Sequence, residues 1–337
     1  MIAPMSLSPK TEHNKLFDRT LLRRRRTRAA TSLPAHDFLL ARVIGDLSDR
    51  LADIARPFPL ALDLGCHHGL AAQTLGEGER PAAKIGTLIQ SDISPALLSL
   101  GKGLRVAADE EALPFKPASL DLILSALSLH WVNDLPGTLV QIRRTLKPDG
   151  LFLGALFGGE TLHELRTALG QAEVECDGGL SPRVAPFADI RDLGQLLQRA
   201  GFALPVTDVD RVTVRYDHPL ALMADLRAMG ETNLLFDRRR TPLRRATLAR
   251  ACEIYHEKFA GADGRIPATF DIIHISGWRP HESQQQPLRP GSAKARLADA
   301  LGVPERETGD KALPQPPGSP PKPGSPPKPG SPPKNEN

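Results

Sequence analysis

Residues 62–69 read LDLGCHHG, which places Cys66, His67 and His68 between two glycines, just after the acid Asp63. Two chemistries use such residues: metal ligation, and a glycine turn that holds a cofactor. The metal reading is weak. Three consecutive side chains diverge, whereas zinc sites use spaced pairs such as CxxC and HxxxH. Cys66, Cys176 and Cys252 lie far apart, and no HxD or HxE pattern supplies half of an iron oxygenase triad. No metal site is expected.

The cofactor reading has more behind it. PLALDL (59–64) is a short apolar strand ending at Asp63, and the segment after Gly69 has helical character. A strand–turn–helix with glycines at 65 and 69 brings backbone to a ligand at a strand's carboxyl end. The spacing is D-x-G-x-x-x-G rather than GxGxxG, so a pyrophosphate cradle fits poorly, and Asp63 is better suited to a ligand's ammonium group. SDIS places Asp92 at the end of a second strand, 23 residues after Gly69, where an acid accepts from ribose hydroxyls. AADEEALPF places Asp109 and Glu110 after a third strand, within reach of an adenine edge. Singly, each acid reads as a loop carboxylate or helix N-cap; three at successive strand ends point to one ligand. An ammonium, a ribose diol and an adenine together describe S-adenosylmethionine.

The elements that must position these acids alternate. PLALDL, GTLIQSD (86–92), LRVAA (104–108), LDLILSA (120–126) and GLFLGAL (150–156) read as strands, several of them continuously apolar, as in a parallel sheet covered on both faces. Helices are expected at 36–54, 69–76, 95–101 and 134–146, and LKPDG (146–150) ends the last of these. The pattern is a βαβ series, hence an α/β, doubly wound, mostly parallel sheet. After Leu156, helices at 159–175 and 187–200 precede the alternating strand VTDVDRVTVRY (206–216). A helical section (218–260) and FDIIHISGW (270–278) follow, which predicts an antiparallel edge strand with a helical insertion.

Three segments are expected: a basic N-terminal stretch (1–34), a catalytic domain (35–286) and a disordered tail (287–337) built on a KPGSPP repeat. The run LLRRRRTR (21–28) reads as a solvated helix covering the cofactor cleft in preference to a nucleic-acid element. Elsewhere charge is balanced, with a formal net +4 overall, and no nucleic-acid partner is expected. No apolar run is long enough to span a membrane, and residues 1–15 lack the apolar core of a signal peptide. An intracellular enzyme is expected.

LDLGCHHG, LIQSDIS, DEEALPF and LKPDG together resemble a class I S-adenosylmethionine-dependent methyltransferase with a Rossmann-like fold. LFDR (16–19), LSLHWVNDLP (127–136), GALFGGETLHELR (154–166), DGGLSPRVAPF (177–187), DLGQLLQRAGF (192–202), MGETN (229–233) and GWRPHESQ (277–284) resemble one branch. That branch is the mitochondrial complex I assembly factor 5 family, arginine hydroxylases on a methyltransferase fold, with alphaproteobacterial relatives. The resemblance runs from about Leu16 to Ala293. It implies that Asp63, Gly65, Gly69, Asp92 and Asp109 bind S-adenosylmethionine, with Cys66, Ile93, Glu110 and Ser125 beside them at the same strand ends. It also implies a protein substrate, the iron–sulfur subunit of NADH:quinone oxidoreductase, met in the cytoplasm of a bacterium or the matrix of a mitochondrion. The departure is His67, where the family usually has glycine.

Candidate catalytic residues are His130, Glu160 and His281. His130 follows the fourth strand beside Trp131, and it either orients a substrate or packs under the sheet edge. Glu160 opens a helix after the fifth strand and either pairs with a substrate arginine or belongs to a charged helix face. His281 follows the last strand, at an expected entrance. Oxygen insertion needs an electron source, usually with a metal or flavin. The sequence offers no ligand pattern for either, so hydroxylation enters only through the resemblance. Two other functions remain open: methyl transfer to a small-molecule or carrier-bound carboxyl, as in the biotin pathway, and a non-enzymatic cofactor-binding assembly chaperone.

Overall fold

The alternation along the strands sorts side chains onto two buried faces. In β5 (Leu146–Phe157), Leu151, Leu153, Ala155 and Phe157 enter one apolar cluster, while Phe152 and Leu156 enter the other. The first cluster takes its helical half from α2 (Phe38–Ala52), α3 (Leu70–Glu77), α6 (His163–Asp177), α8 (Pro219–Met229) and α9 (Arg245–Phe259). The second takes it from α5 (Leu135–Thr145) and α7 (Ile190–Arg199). With helices on both sides, β4 (Leu120–Ala126) is buried at every position, as its unbroken apolar run requires. The structure, a computed structural model, describes residues 15–77 and 84–285; the expected tail from 287 lies outside them.

The seven strands pair in the order β3-β2-β1-β4-β5-β7-β6, where β1 is Phe58–Leu64, β2 Ile85–Asp92, β3 Leu104–Ala107, β6 Ala203–Tyr216 and β7 Ile266–Trp278. The first five run parallel, and β7 is antiparallel to both β5 and β6. The antiparallel strand thus lies one place inside the edge, and β6 closes the sheet with alternating half-exposed residues. The helical insertion between β6 and β7 is α8 and α9. The described residues up to Gln284 form one compact unit, and no described helix is long and apolar enough to cross a membrane.

Parallel topology gathers the ends of β1, β2, β3, β4 and β5 along one edge of the sheet. Over that edge lies α1 (Arg19–Ala29), capped by Asp18, whose side chain accepts from the Leu21 amide. It is anchored by a small cluster that includes Phe17, Leu22, Trp131 and Leu234, and by the Asp18 amide donating to the Leu234 carbonyl at 2.9 Å. The described part of the basic segment, from Lys15, is therefore packed into the same body as the sheet.

Candidate functional site

The turn after β1 carries three left-handed residues: Gly65 (φ 73°), His67 (φ 52°) and Gly69 (φ 83°). The Gly65 and Cys66 amides donate to the Ser91 carbonyl at 2.8 and 2.9 Å, which locks the turn against β2. Its three consecutive polar side chains do diverge. Cys66 contacts the His67 carbonyl, His67 Nε2 donates to the Ala126 carbonyl at 3.0 Å, and His68 Nε2 meets Asp37 Oδ2 at 3.0 Å. Burial, followed by the charge of Arg26, pushes the His67 imidazole down to about 3, so it stays neutral. Histidine at this left-handed position costs roughly 1–2 kcal/mol, partly offset by the hydrogen bond to Ala126.

The acids at the strand ends are all close by, but they are already engaged. Asp92 is fully buried; Oδ1 accepts from the Ser94 amide at 2.7 Å, and Oδ2 accepts from the His67 amide at 3.1 Å. The same Oδ2 takes Arg26 Nη1 of α1 at 2.9 Å. Arg26 also reaches Glu110 at 3.3 Å and Ser128 Oγ at 3.0 Å, and only 2% of it is exposed. Arg19, seven residues earlier on the same helix face, pairs with Glu110 and with Asp109 at 2.5 Å. Burial pushes Glu110 up, but the two guanidiniums outweigh it and hold the carboxylate below its usual range. Burial keeps Asp92 raised despite Arg26. The helix covers the cleft as the sequence suggests, yet its inner face is not solvated: Arg26 is a buried counter-ion.

Residues of this turn and these strand ends suit an S-adenosylmethionine-sized ligand in type. Asp63 Oδ2 is buried without a hydrogen-bond partner among the described residues, and burial followed by Asp92 pushes this carboxyl up to about 7. A cavity of about 350 Å³ beside Ile93, Ala107, Ala108 and Asp109 is open where an adenine would lie. A smaller space, about 30 Å³, touches His67 and Phe157 on the methionine side. Between the two the room is taken. A Cβ on Gly65 would come within 2.1 Å of Ser128 Oγ and 3.2 Å of Glu110 Oε1, and Arg26 caps both groups. The donor set fits the ligand in type, and Arg26 occupies the space beside Asp92 that a ribose there would need.

Other expected residues fall elsewhere. The Ser125 hydroxyl is committed to the Leu64 carbonyl at 2.8 Å, tying β4 to β1, so it is Ser128 that faces the turn. Cys66 is buried, and burial pushes its thiol up, so its role in the turn is its backbone. Glu160 is exposed and precedes α6, which starts at His163 because Leu162 adopts a left-handed conformation (φ 55°). His281 is exposed at the opposite edge of the sheet. Trp278 pairs with Leu151 at the start of β5, so the chain leaves β7 at the amino ends of the parallel strands. That antiparallel reversal removes His281 from the site.

His130 is brought in. Its ring lies 4.7 Å from Phe157 and 5.0 Å from Trp131, and its Nε2 donates to Glu231 Oε2 at 3.2 Å. Trp131 Nε1 donates to the same oxygen at 2.7 Å. Burial raises the Glu231 carboxyl, but His130 and the charge of Arg26 outweigh it and keep it below its usual range. Sequence reasoning missed Arg19, Arg26, Ser128 and Glu231. For the first two the signal was present: Arg19, Leu22, Arg26 and Ala29 fall at i, i+3, i+7 and i+10, one helix face.

Residues 62–154 match the methyltransferase-domain family. Over 291 residues the chain is 44% identical to the mitochondrial arginine-hydroxylase NDUFAF5 of Danio rerio, covering 84% of this chain and 89% of that protein. The Homo sapiens counterpart is 45% identical over 301 residues, covering 87% and 85%. The chain belongs to the NDUFAF5 arginine-hydroxylase family. A malonyl-[acyl-carrier protein] O-methyltransferase from Gallionella capsiferriformans is 34% identical over 281 residues, covering 79% and 92%. The NDUFAF5-family chain is thus an enzyme of the S-adenosylmethionine methyltransferase class, with the Rossmann-like fold of class I. The turn, the three acids and Ile93 lie within the matched methyltransferase domain, whereas Arg19, Arg26 and Glu231 lie outside it.

Proposed function

We propose that this enzyme binds S-adenosylmethionine along the carboxyl edge of the sheet and modifies an arginine of the complex I iron–sulfur subunit during assembly. The observation that carries the reading is 44–45% identity, over most of both chains, to proteins named arginine hydroxylases. Asp92 is the acceptor for the ribose diol, Asp109 and Ile93 border the adenine, and Asp63 meets the ammonium group. Arg26 leaves Asp92 when the nucleoside enters, so cofactor binding and the position of α1 are coupled. When bound, the cofactor supplies a sulfonium-activated methyl group, the chemistry of its class. His130, fixed by Glu231, holds the aromatic wall beside the turn. The enzyme meets its substrate in the cytoplasm of a bacterium or in the mitochondrial matrix of a eukaryote.

The test is mass spectrometry of the iron–sulfur subunit from cells with and without this gene. Loss on deletion of a gain of about 16 Da on one arginine, one oxygen, supports hydroxylation, and loss of about 14 Da, one CH₂, supports methylation. An arginine whose mass is unchanged by deletion overturns the reading. Modification of a carrier-bound carboxyl instead would support the O-methyltransferase alternative.

A further inference from the structure

Glu231 stands at the seam between two spaces. One is the small space beside His67 at the cofactor turn. The other is a cavity of about 500 Å³ walled by Phe157, Leu162, Leu165, Phe187 and Phe270, with Trp131 beside the carboxylate. Both hydrogen bonds that Glu231 accepts, from Trp131 Nε1 and His130 Nε2, fall on Oε2. Among the described residues Oε1 takes none. A carboxylate with one oxygen free of protein partners, at the inner end of an aromatic and aliphatic cavity, is placed to accept from a cation that enters it. The side chain is 11% exposed.

We infer that Glu231 receives the guanidinium of the substrate arginine, and that this cavity is the arginine pocket. The inference rests on the arginine-modifying reading and names the residue that would select its substrate. An arginine side chain matches the pocket in three respects. Its methylene stem suits apolar walls, its planar cation stacks on aromatic faces such as Trp131 and Phe157, and its N–H donors suit a fixed carboxylate oxygen. The hydrogen bonds from Trp131 and His130 orient the carboxylate, which makes those two positioning residues for recognition. The pocket's inner end abuts His67, so an arginine seated on Glu231 is held next to the cofactor turn.

The mouth of the cavity adds a preference. Arg183 and Arg239 are paired with Glu173, Arg239 also with Asp177, and Arg238 with Asp18. Arg25, half-buried and donating to the Asn233 carbonyl, and Arg227 and Arg240, both exposed, have no ionic partner among the described residues. These three cations along the cavity favour an arginine flanked by acidic residues over one in a basic segment.

Trp131 lies against Glu231, and the chain has two tryptophans, so Trp131 fluorescence reports occupancy in the Trp278→Phe background. The probes are a short acidic peptide with one central arginine and the same peptide with citrulline or lysine. The arginine peptide is expected to bind the full-length protein at least tenfold more tightly than the citrulline peptide, and more tightly than the lysine peptide. Glu231→Gln is expected to remove most of that difference. Equal binding of arginine and citrulline peptides to the wild type overturns the inference, even if Glu231→Gln fails to fold. So does a folded Glu231→Gln protein with unchanged discrimination. Arginine binding at Glu231 without any modified subunit arginine in cells would sink the functional reading alone. A modified subunit arginine with no discrimination at Glu231 would sink this inference alone.

Discussion

Arg26→Met removes the guanidinium shared by two fully buried carboxylates while keeping an unbranched side chain of similar length. Glu110 retains Arg19, but Asp92 is left with two backbone amides and no cation. Removing one partner of a buried ion pair costs about 3–5 kcal/mol, and the surviving Arg19 contact puts this case near the low end, about 3 kcal/mol. In a domain of this size each kcal/mol moves Tm by roughly 2–4 °C, so melting should fall by roughly 6–12 °C at pH 8. The sign with pH follows from Asp92. Its carboxyl is already raised by burial, and without Arg26 it rises further. A raised folded-state value means stability that is present at low pH and lost as pH rises through it. The deficit of the variant should therefore shrink between pH 8 and pH 5. Thermal melts by circular dichroism across that range provide the assay, repeated with S-adenosylmethionine. The ligand no longer has to displace Arg26, so at equal concentration it should raise Tm more in the variant than in the wild type. A Tm within about 2 °C of wild type at pH 8, or a deficit independent of pH, would refute the buried-counter-ion argument.

Asp63→Asn tests the orphaned acid: with its carboxyl pushed from the ordinary value near 4 up to about 7, wild-type stability should decline as pH rises from about 4 to about 7 and level off above it. The displacement is worth on the order of 4 kcal/mol, and the asparagine variant should show a flatter stability–pH profile in urea unfolding. His67→Gly relieves a left-handed backbone worth about 1–2 kcal/mol but loses the bond to the Ala126 carbonyl, worth about 1 kcal/mol net. Its stability should stay within about 2 kcal/mol of wild type, with cofactor affinity equal or higher by calorimetry; collapse of binding would give the imidazole a direct role. Gly65→Ala puts a Cβ 2.1 Å from Ser128 Oγ at a φ of 73°, and a chemical denaturation midpoint should show a loss of at least about 2 kcal/mol.

The doubly wound, mostly parallel sheet was legible because parallel strands write their burial directly into unbroken apolar runs, and β1 and β2 carry Asp63 and Asp92 at their carboxyl ends, with Asp109 just after β3. Asp63, Asp92 and Asp109 could be proposed as one site from spacing alone. Arg26 could not be weighed in the same way, since a run of four arginines looks solvated until the acids opposite the helix are known. Glu231 lies 100 residues beyond Trp131, and only the fold brings the two together. His281 misled for a topological reason: a strand's end marks the ligand edge only when that strand runs parallel to its neighbours, and β7 does not. Ser125 and Ser128 show the same limit at finer scale, as three positions decide which hydroxyl faces a neighbouring strand and which faces the turn.

The account's central claim is that the carboxylate ending β2 receives the nucleoside of S-adenosylmethionine. Titration calorimetry of the cofactor into the wild type and Asp92→Asn tests it most directly, with melting curves confirming that both are folded. The account predicts measurable binding to the wild type and at least a tenfold weaker affinity for the variant. Equal affinity in the two proteins would contradict it.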